Sequence, residues 1–178
     1  HFTDRRQRQM CIRDRDHIAL ENLLTGLELE VFAHNVECVP RLDSTVRDAR
    51  ASFSQSIGIL KKAKQLRPDI LTKSSIMVGV GETDDEIIQA LELLRDAEVD
   101  LITIGQYLAP SPNHLPVDRF PEPSQYDDWS ASLEEMGFLG WACGPLVRSS
   151  YKAGELLAKA SARLRTCLLY TSDAADDP

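Results

Sequence analysis

Residues able to do chemistry recur where short apolar runs end: His34, Asn35 and Glu37, then Gly79, Gly81 and Glu82, then Gln106 and Tyr107, and last Arg148, Ser149 and Ser150. In a (β/α) barrel the C-terminal ends of parallel strands converge on one rim, and chemistry gathers there. Glycines at 79 and 81 permit close backbone approach to a planar or phosphate-bearing ligand, since glycine has no Cβ and reaches positive φ. The same Gly-Val-Gly spacing is more often a plain structural turn, and it is not the Rossmann glycine fingerprint. His34 has two readings, a group that orients a ligand beside Asn35 or a hydrogen-bonded core histidine. Lys73 stands inside an otherwise apolar run, so its charge must reach a barrel mouth or meet a carboxylate. Glu82 is a candidate for that carboxylate and equally for a cap on the next helix. Cys38 and Cys143 lie far apart with no CxxC spacing, a pattern of buried free thiols rather than of a metal site.

The elements that must position these groups follow from hydrophobic periodicity. Leu29, Val31 and Phe32 form a short β-favouring run ending at Ala33-His34-Asn35. Ile57, Leu60, Ala63, Lys64 and Leu66 keep helical spacing from about Ser52, and Arg67-Pro68-Asp69 stops that helix. Residues Ile70 to Val78 read as a strand. Thr83 starts the next helix as N-cap with Glu86 as its capping-box partner, and Ile87, Ala90, Leu91 and Leu94 form its buried stripe. Leu101 to Ile104 is apolar throughout, as expected of a strand buried on both faces of a parallel sheet. Pro110, Pro112, Pro116, Pro121 and Pro123 exclude regular structure between Ala109 and Pro123, which predicts a long loop crossing the end of a barrel. Tyr126, Trp129, Leu133 and Met136 make another helical stripe closed by Gly137, Phe138 to Cys143 returns as a strand, and a last helix begins at about Tyr151. Alternating strands and helices with short connections predict an α/β fold, a partial (β/α) TIM-type barrel.

A chain of 178 residues supports one domain with a real core but is short for a complete barrel enzyme. The formal charge of -8 argues against a broad basic face for nucleic acid. No apolar run is long enough to span a bilayer, and no signal peptide opens the chain, so neither nucleic acid nor a membrane is expected as partner. The compartment expected is the cytoplasm, or an organelle in a eukaryote. Arg5 to Asp14 and Cys167 to Asp176 match translations of the two strands of a transposase sequencing adapter. Residues 1–15 and 167–178 are therefore set apart as adapter-derived or disordered, Cys11 and Cys167 carry no functional weight, and the natural segment is read as residues 16–166.

Four separated motifs, spanning Leu29 to Glu155, point to a family. Val31-Phe32-Ala33-His34-Asn35-Val36-Glu37, the run from Thr72 to Thr83 (TKSSIMVGVGET), Gly105-Gln106-Tyr107-Leu108, and the run from Gly144 to Glu155 (GPLVRSSYKAGE) resemble lipoyl synthases in content and order. The resemblance implies a radical S-adenosylmethionine half-barrel from an enzyme that inserts two sulfur atoms into a protein-bound octanoyl chain. It implies two [4Fe–4S] clusters and S-adenosyl-L-methionine as cofactors, with an electron donor and an octanoylated lipoyl-domain or carrier protein as partners. One cluster serves radical generation, and the auxiliary cluster supplies sulfur. By the same resemblance the auxiliary cluster takes a serine oxygen from the Arg-Ser-Ser-Tyr motif, a hard ligand held less tightly than thiolate. Ser150 is assigned to it, with Ser149 as the neighbouring choice. Both serines also suit a cap on the last helix. His34, Asn35, Arg50, Lys73, Ser75, Gly79 and Glu82 are carried over as cofactor-pocket residues, Gly79 admitting the adenine base.

The departure from the family pattern is the half that bears the cysteine motifs, CxxxCxxC among them. Its absence predicts a chain that is inactive alone, with apolar barrel faces left exposed and prone to aggregation. Two further readings stand beside this one: a non-catalytic half-barrel that binds or assembles with a cluster-bearing partner, and another sulfur-inserting radical enzyme such as biotin synthase. The Arg-Ser-Ser-Tyr segment argues against the second.

Overall fold

A computed structural model describes residues 17–26 and 29–173, so the segment 1–15 set apart above lies outside the described residues. The elements run α1 (His17–Thr25), β1 (Val31–Ala33), a 3-10 turn (Pro40–Leu42), α2 (Asp43–Val46), α3 (Phe53–Leu66), β2 (Leu71–Val78), α4 (Asp84–Asp96), β3 (Leu101–Gln106), α5 (Pro123–Glu135), β4 (Gly140–Gly144) and α6 (Ala153–Asp173). The four strands form one open parallel sheet in the order β1-β2-β3-β4. The expected partial (β/α) barrel architecture is what this sheet and its flanking helices make.

Local signals account for most boundaries. The Ser52 hydroxyl accepts from Gln55 N–H at the start of α3, and Thr83 and Glu86 complete the capping box of α4. Gly137 takes φ +77 just beyond α5, a conformation that ends a helix cheaply only at glycine. α1 and the Pro40–Val46 turn and helix were not legible, since they are short and carry little periodicity. α6 starts at Ala153 rather than Tyr151. Its backbone stays helical to Asp173. A helix already nucleated extends at little cost through residues of ordinary propensity.

Strand alternation divides the side chains between two faces. Ile76, Val78, Ile102 and Ile104 belong to the main core with Leu60 and Ala63 of α3, Ile87, Leu91 and Leu94 of α4, and Trp129 and Leu133 of α5. On the opposite, inner face Leu71 and Leu101 form a second cluster with Ala160 and Leu157 of α6. α6 folds back and lays Leu157 and Ala160 over Leu71 and Leu101 on this face. A Cβ at Gly140 would lie 3.3 Å from the Leu156 carbonyl oxygen, so glycine there lets α6 approach β4 closely.

Candidate functional site

The proline-rich loop crosses the C-terminal ends of β2 and β3, as expected. Asp118 N–H donates to the Gly79 carbonyl at 2.9 Å. Gln106, at the end of β3, donates through Nε2 to the Arg119 carbonyl at 3.1 Å and accepts the Tyr126 hydroxyl on Oε1 at 3.3 Å. The Tyr107 hydroxyl donates to the Leu115 carbonyl at 2.9 Å.

Glu82 organises the turn after β2. Its buried carboxylate accepts Gly79 N–H at 2.7 Å and Val80 N–H at 2.9 Å, and Arg119 approaches it at 3.5 Å while bonding Asp84 at 2.7 Å. It therefore neither pairs with Lys73 nor caps α4. Charge-assisted bonds to two backbone amides and a guanidinium are what make a buried carboxylate tolerable. Arg119 went unmarked in the sequence, although it is the one Lys or Arg in the proline-rich stretch, and a lone cation near an unpaired buried Glu is a signal that could have found it.

The two glycines of that turn differ. Gly79 has φ +91, and a Cβ there would meet Gln106 Nε2 at 2.3 Å and the Arg119 carbonyl at 2.4 Å, so the space it frees is filled by the chain itself. Gly81 has φ +108, a Cβ there would meet nothing within 4 Å, and it is the glycine open to a ligand's approach.

His34 is buried, with Nε2 3.2 Å from the Ser56 hydroxyl, which is itself 3.1 Å from Arg47. The Ser56 contact gives the buried ring a hydrogen-bond partner within the fold. Asn35 bonds the Glu37 carboxylate at 3.2 Å, and Glu37, with φ +67, extends the pairing of β1 by exchanging backbone bonds with Ser75 and Met77. Burial raises the Glu37 carboxyl above the usual range. Arg50 is exposed and holds Asp48 at 2.8 Å, away from the groups on the sheet.

Lys73 and Ser75 lie two apart on the inner face of β2, with Thr103 of β3 in register beside Ser75. All three are buried. Lys73 Nζ donates to the Ser149 carbonyl, and burial pushes its pKa down to about 8. The Arg148-Ser149-Ser150 segment is a turn over that face, closed by Val147 N–H to the Gly144 carbonyl at 3.1 Å and Tyr151 N–H to the Arg148 carbonyl at 2.8 Å. Ser149 and Ser150 are exposed. Leu156 N–H bonds the Lys152 carbonyl at 3.0 Å, so Lys152, not either serine, occupies the capping position of α6.

Cys38 and Cys143 are free thiols, and burial raises the first to about 12 and the second to about 11. Among the described residues no group of three His, Cys, Asp or Glu side chains could hold a metal ion, and no helix is long and apolar enough to cross a membrane.

No family model matches the chain. Curated relatives do. It is 52% identical over 131 residues to the mitochondrial lipoyl synthase of Xenopus laevis, a match covering 74% of this chain and 35% of the relative. It is 53% identical over 131 residues to the chloroplastic lipoyl synthase of Arabidopsis thaliana, covering 74% and 33%. With the lipoyl synthase of Halorhodospira halophila it shares 55% identity over 129 residues, covering 72% and 39%. The chain spans about a third of the length of the curated relatives it matches.

Proposed function

Because the chain belongs to the lipoyl synthase family, we propose that it forms one side of a radical S-adenosylmethionine barrel and lends Ser150 to an auxiliary iron–sulfur cluster. In this reading the cluster and S-adenosylmethionine supply hydrogen abstraction from unactivated carbons and the sulfur for a protein-bound octanoyl chain. The observation that carries it is the position of Ser150, an exposed hydroxyl on a fixed turn above the inner sheet face. A hydroxylate is a harder and more labile iron ligand than a thiolate, which suits a cluster that must give up sulfur.

The chain's own residues have limited tasks. Asn35 and Glu37 line the rim after β1, and Glu82 holds the Gly79–Gly81 turn rigid so that Gly81 can face the adenosyl group. Ser75 contributes a hydroxyl on the inner face of β2. The thiolates for both clusters come from outside the described residues, and the chain is inactive alone. An electron donor and an octanoylated lipoyl-domain or carrier protein complete the reaction. The test is Ser150→Ala in a full-length protein carrying this segment: iron and sulfide content should fall by one cluster while the radical-generating cluster remains. Unchanged cluster content and turnover would end the proposal.

A further inference from the structure

The inner sheet face beneath the serine turn is shaped by two residues that belong to neither serine. Lys73 is 5% exposed, and among the described residues no carboxylate forms an ion pair with it. A buried ammonium without a counter-charge is costly unless its N–H groups are hydrogen-bonded, which puts weight on the acceptor it finds. Its donation to the Ser149 carbonyl joins the turn to the middle of the sheet across 76 residues of sequence.

Gly105 of β3 does the complementary work by lacking a side chain. A Cβ there would sit 2.2 Å from the Val147 carbonyl oxygen and 3.0 Å from its carbon. Both contacts are with backbone, so no rotamer change could relieve them. Val147 is buried, and a Cβ on Gly144 would meet its Cγ2 at 3.4 Å. The Arg148 guanidinium folds back on the Val147 and Pro145 carbonyls at 2.7 and 3.2 Å, tightening the same bend. The turn is therefore held from beneath at two points, Val147 and Ser149, while the hydroxyls of Ser149 and Ser150 remain at solvent.

We propose that Lys73 and Gly105 are positioning residues for the Arg148–Ser150 turn, the amine fixing the Ser149 carbonyl and the bare β3 backbone admitting Val147, so that the Ser150 hydroxyl has one defined location. That the hydroxyl is a cluster ligand rests on the function proposed above; the positioning of the turn does not. Lys73 thereby acts on the site through the serine turn.

The experiment is heteronuclear NMR on the isotopically labelled 178-residue chain, comparing Lys73→Met, Lys73→Arg and Gly105→Ala with the unsubstituted protein. In Lys73→Met the backbone shifts of residues 147–152 should move most of the way to coil values while the paired amides of β2 and β3 keep theirs. Lys73→Arg, which restores a charged donor, should return the turn to its original shifts. Gly105→Ala should displace the turn with the amine still in place. The proposal is overturned if the turn keeps its shifts in Lys73→Met, or if Lys73→Arg disturbs it as much as Lys73→Met with the sheet intact. Should Gly105→Ala fail to fold, the two Lys73 variants still decide. A positioned turn whose serine binds no cluster would remove the functional reading and leave this one standing.

Discussion

The Lys73 ammonium occupies an environment that disfavours its charge, and the sign of the consequence is fixed. Burial lowers its pKa from 10.5 to about 8, so between those values the unfolded chain binds more protons than the folded one. Stability attributable to this group therefore rises with pH across that window, by about 3 kcal/mol in total. Urea denaturation of the unsubstituted chain and of Lys73→Met at a series of pH values should show the difference between them growing in favour of lysine from about pH 8 to 10.5; a difference that stays flat or shrinks contradicts it. That Lys73 needed an outlet could be read from one charge in an apolar run. The outlet itself, a carbonyl rather than Glu82, could not, because nothing local distinguishes one distant acceptor from another. His34 shows the same limit: its type allowed two roles, and only the packing of α3 brings Ser56 within reach of it.

Elements carry a division of labour between the two ends of the sheet. The rim at the C-terminal ends is polar and built from turns, whereas the opposite end is locked by an ion pair between residues 36 positions apart. Lys64 of α3 bonds Asp100 at 2.6 Å and the Ile70 carbonyl at 2.8 Å, while Asp100 also accepts Thr72 N–H at 2.7 Å. Both side chains are largely buried. In barrel folds this end serves stability, and removing one partner strands the other charge. Asp100→Ala should cost about 3–5 kcal/mol in chemical denaturation, with the shifts of the serine turn unchanged once folded. A loss below about 1 kcal/mol would mean that the pair is solvated. Helices α3, α4 and α5 were legible from stripe and cap because those signals lie within four residues of each other. The short α2 and the exchange of backbone bonds between Glu37 and β2 were not, since they depend on the sheet already being assembled.

At the scale of the whole molecule, the decisive feature is the cover that α6 places over the inner face. Ala160 is fully buried against Leu71 and Leu101, so Ala160→Glu should detach the helix rather than bury an unpaired carboxylate. Expected results are dye binding to the newly exposed apolar face and proteolytic cleavage after Lys159 and Arg163, with the main core on the other face still cooperative; a variant as protease-resistant as the parent would show that α6 does not cover the sheet. Class, the alternation of strands and helices and the faces of α3, α4 and α5 were available from the sequence alone, as was the family, because periodicity, caps and motif order are properties of neighbouring residues. Tertiary structure alone decided that the chain folds α6 back on its own sheet, that Gly79 is filled from within while Gly81 is open, and that Arg119 and Ser149 meet Glu82 and Lys73. Those contacts join residues 37 and 76 positions apart, and which of the many possible partners meets a given group is settled only when the sheet assembles and burial makes every unpaired polar group expensive.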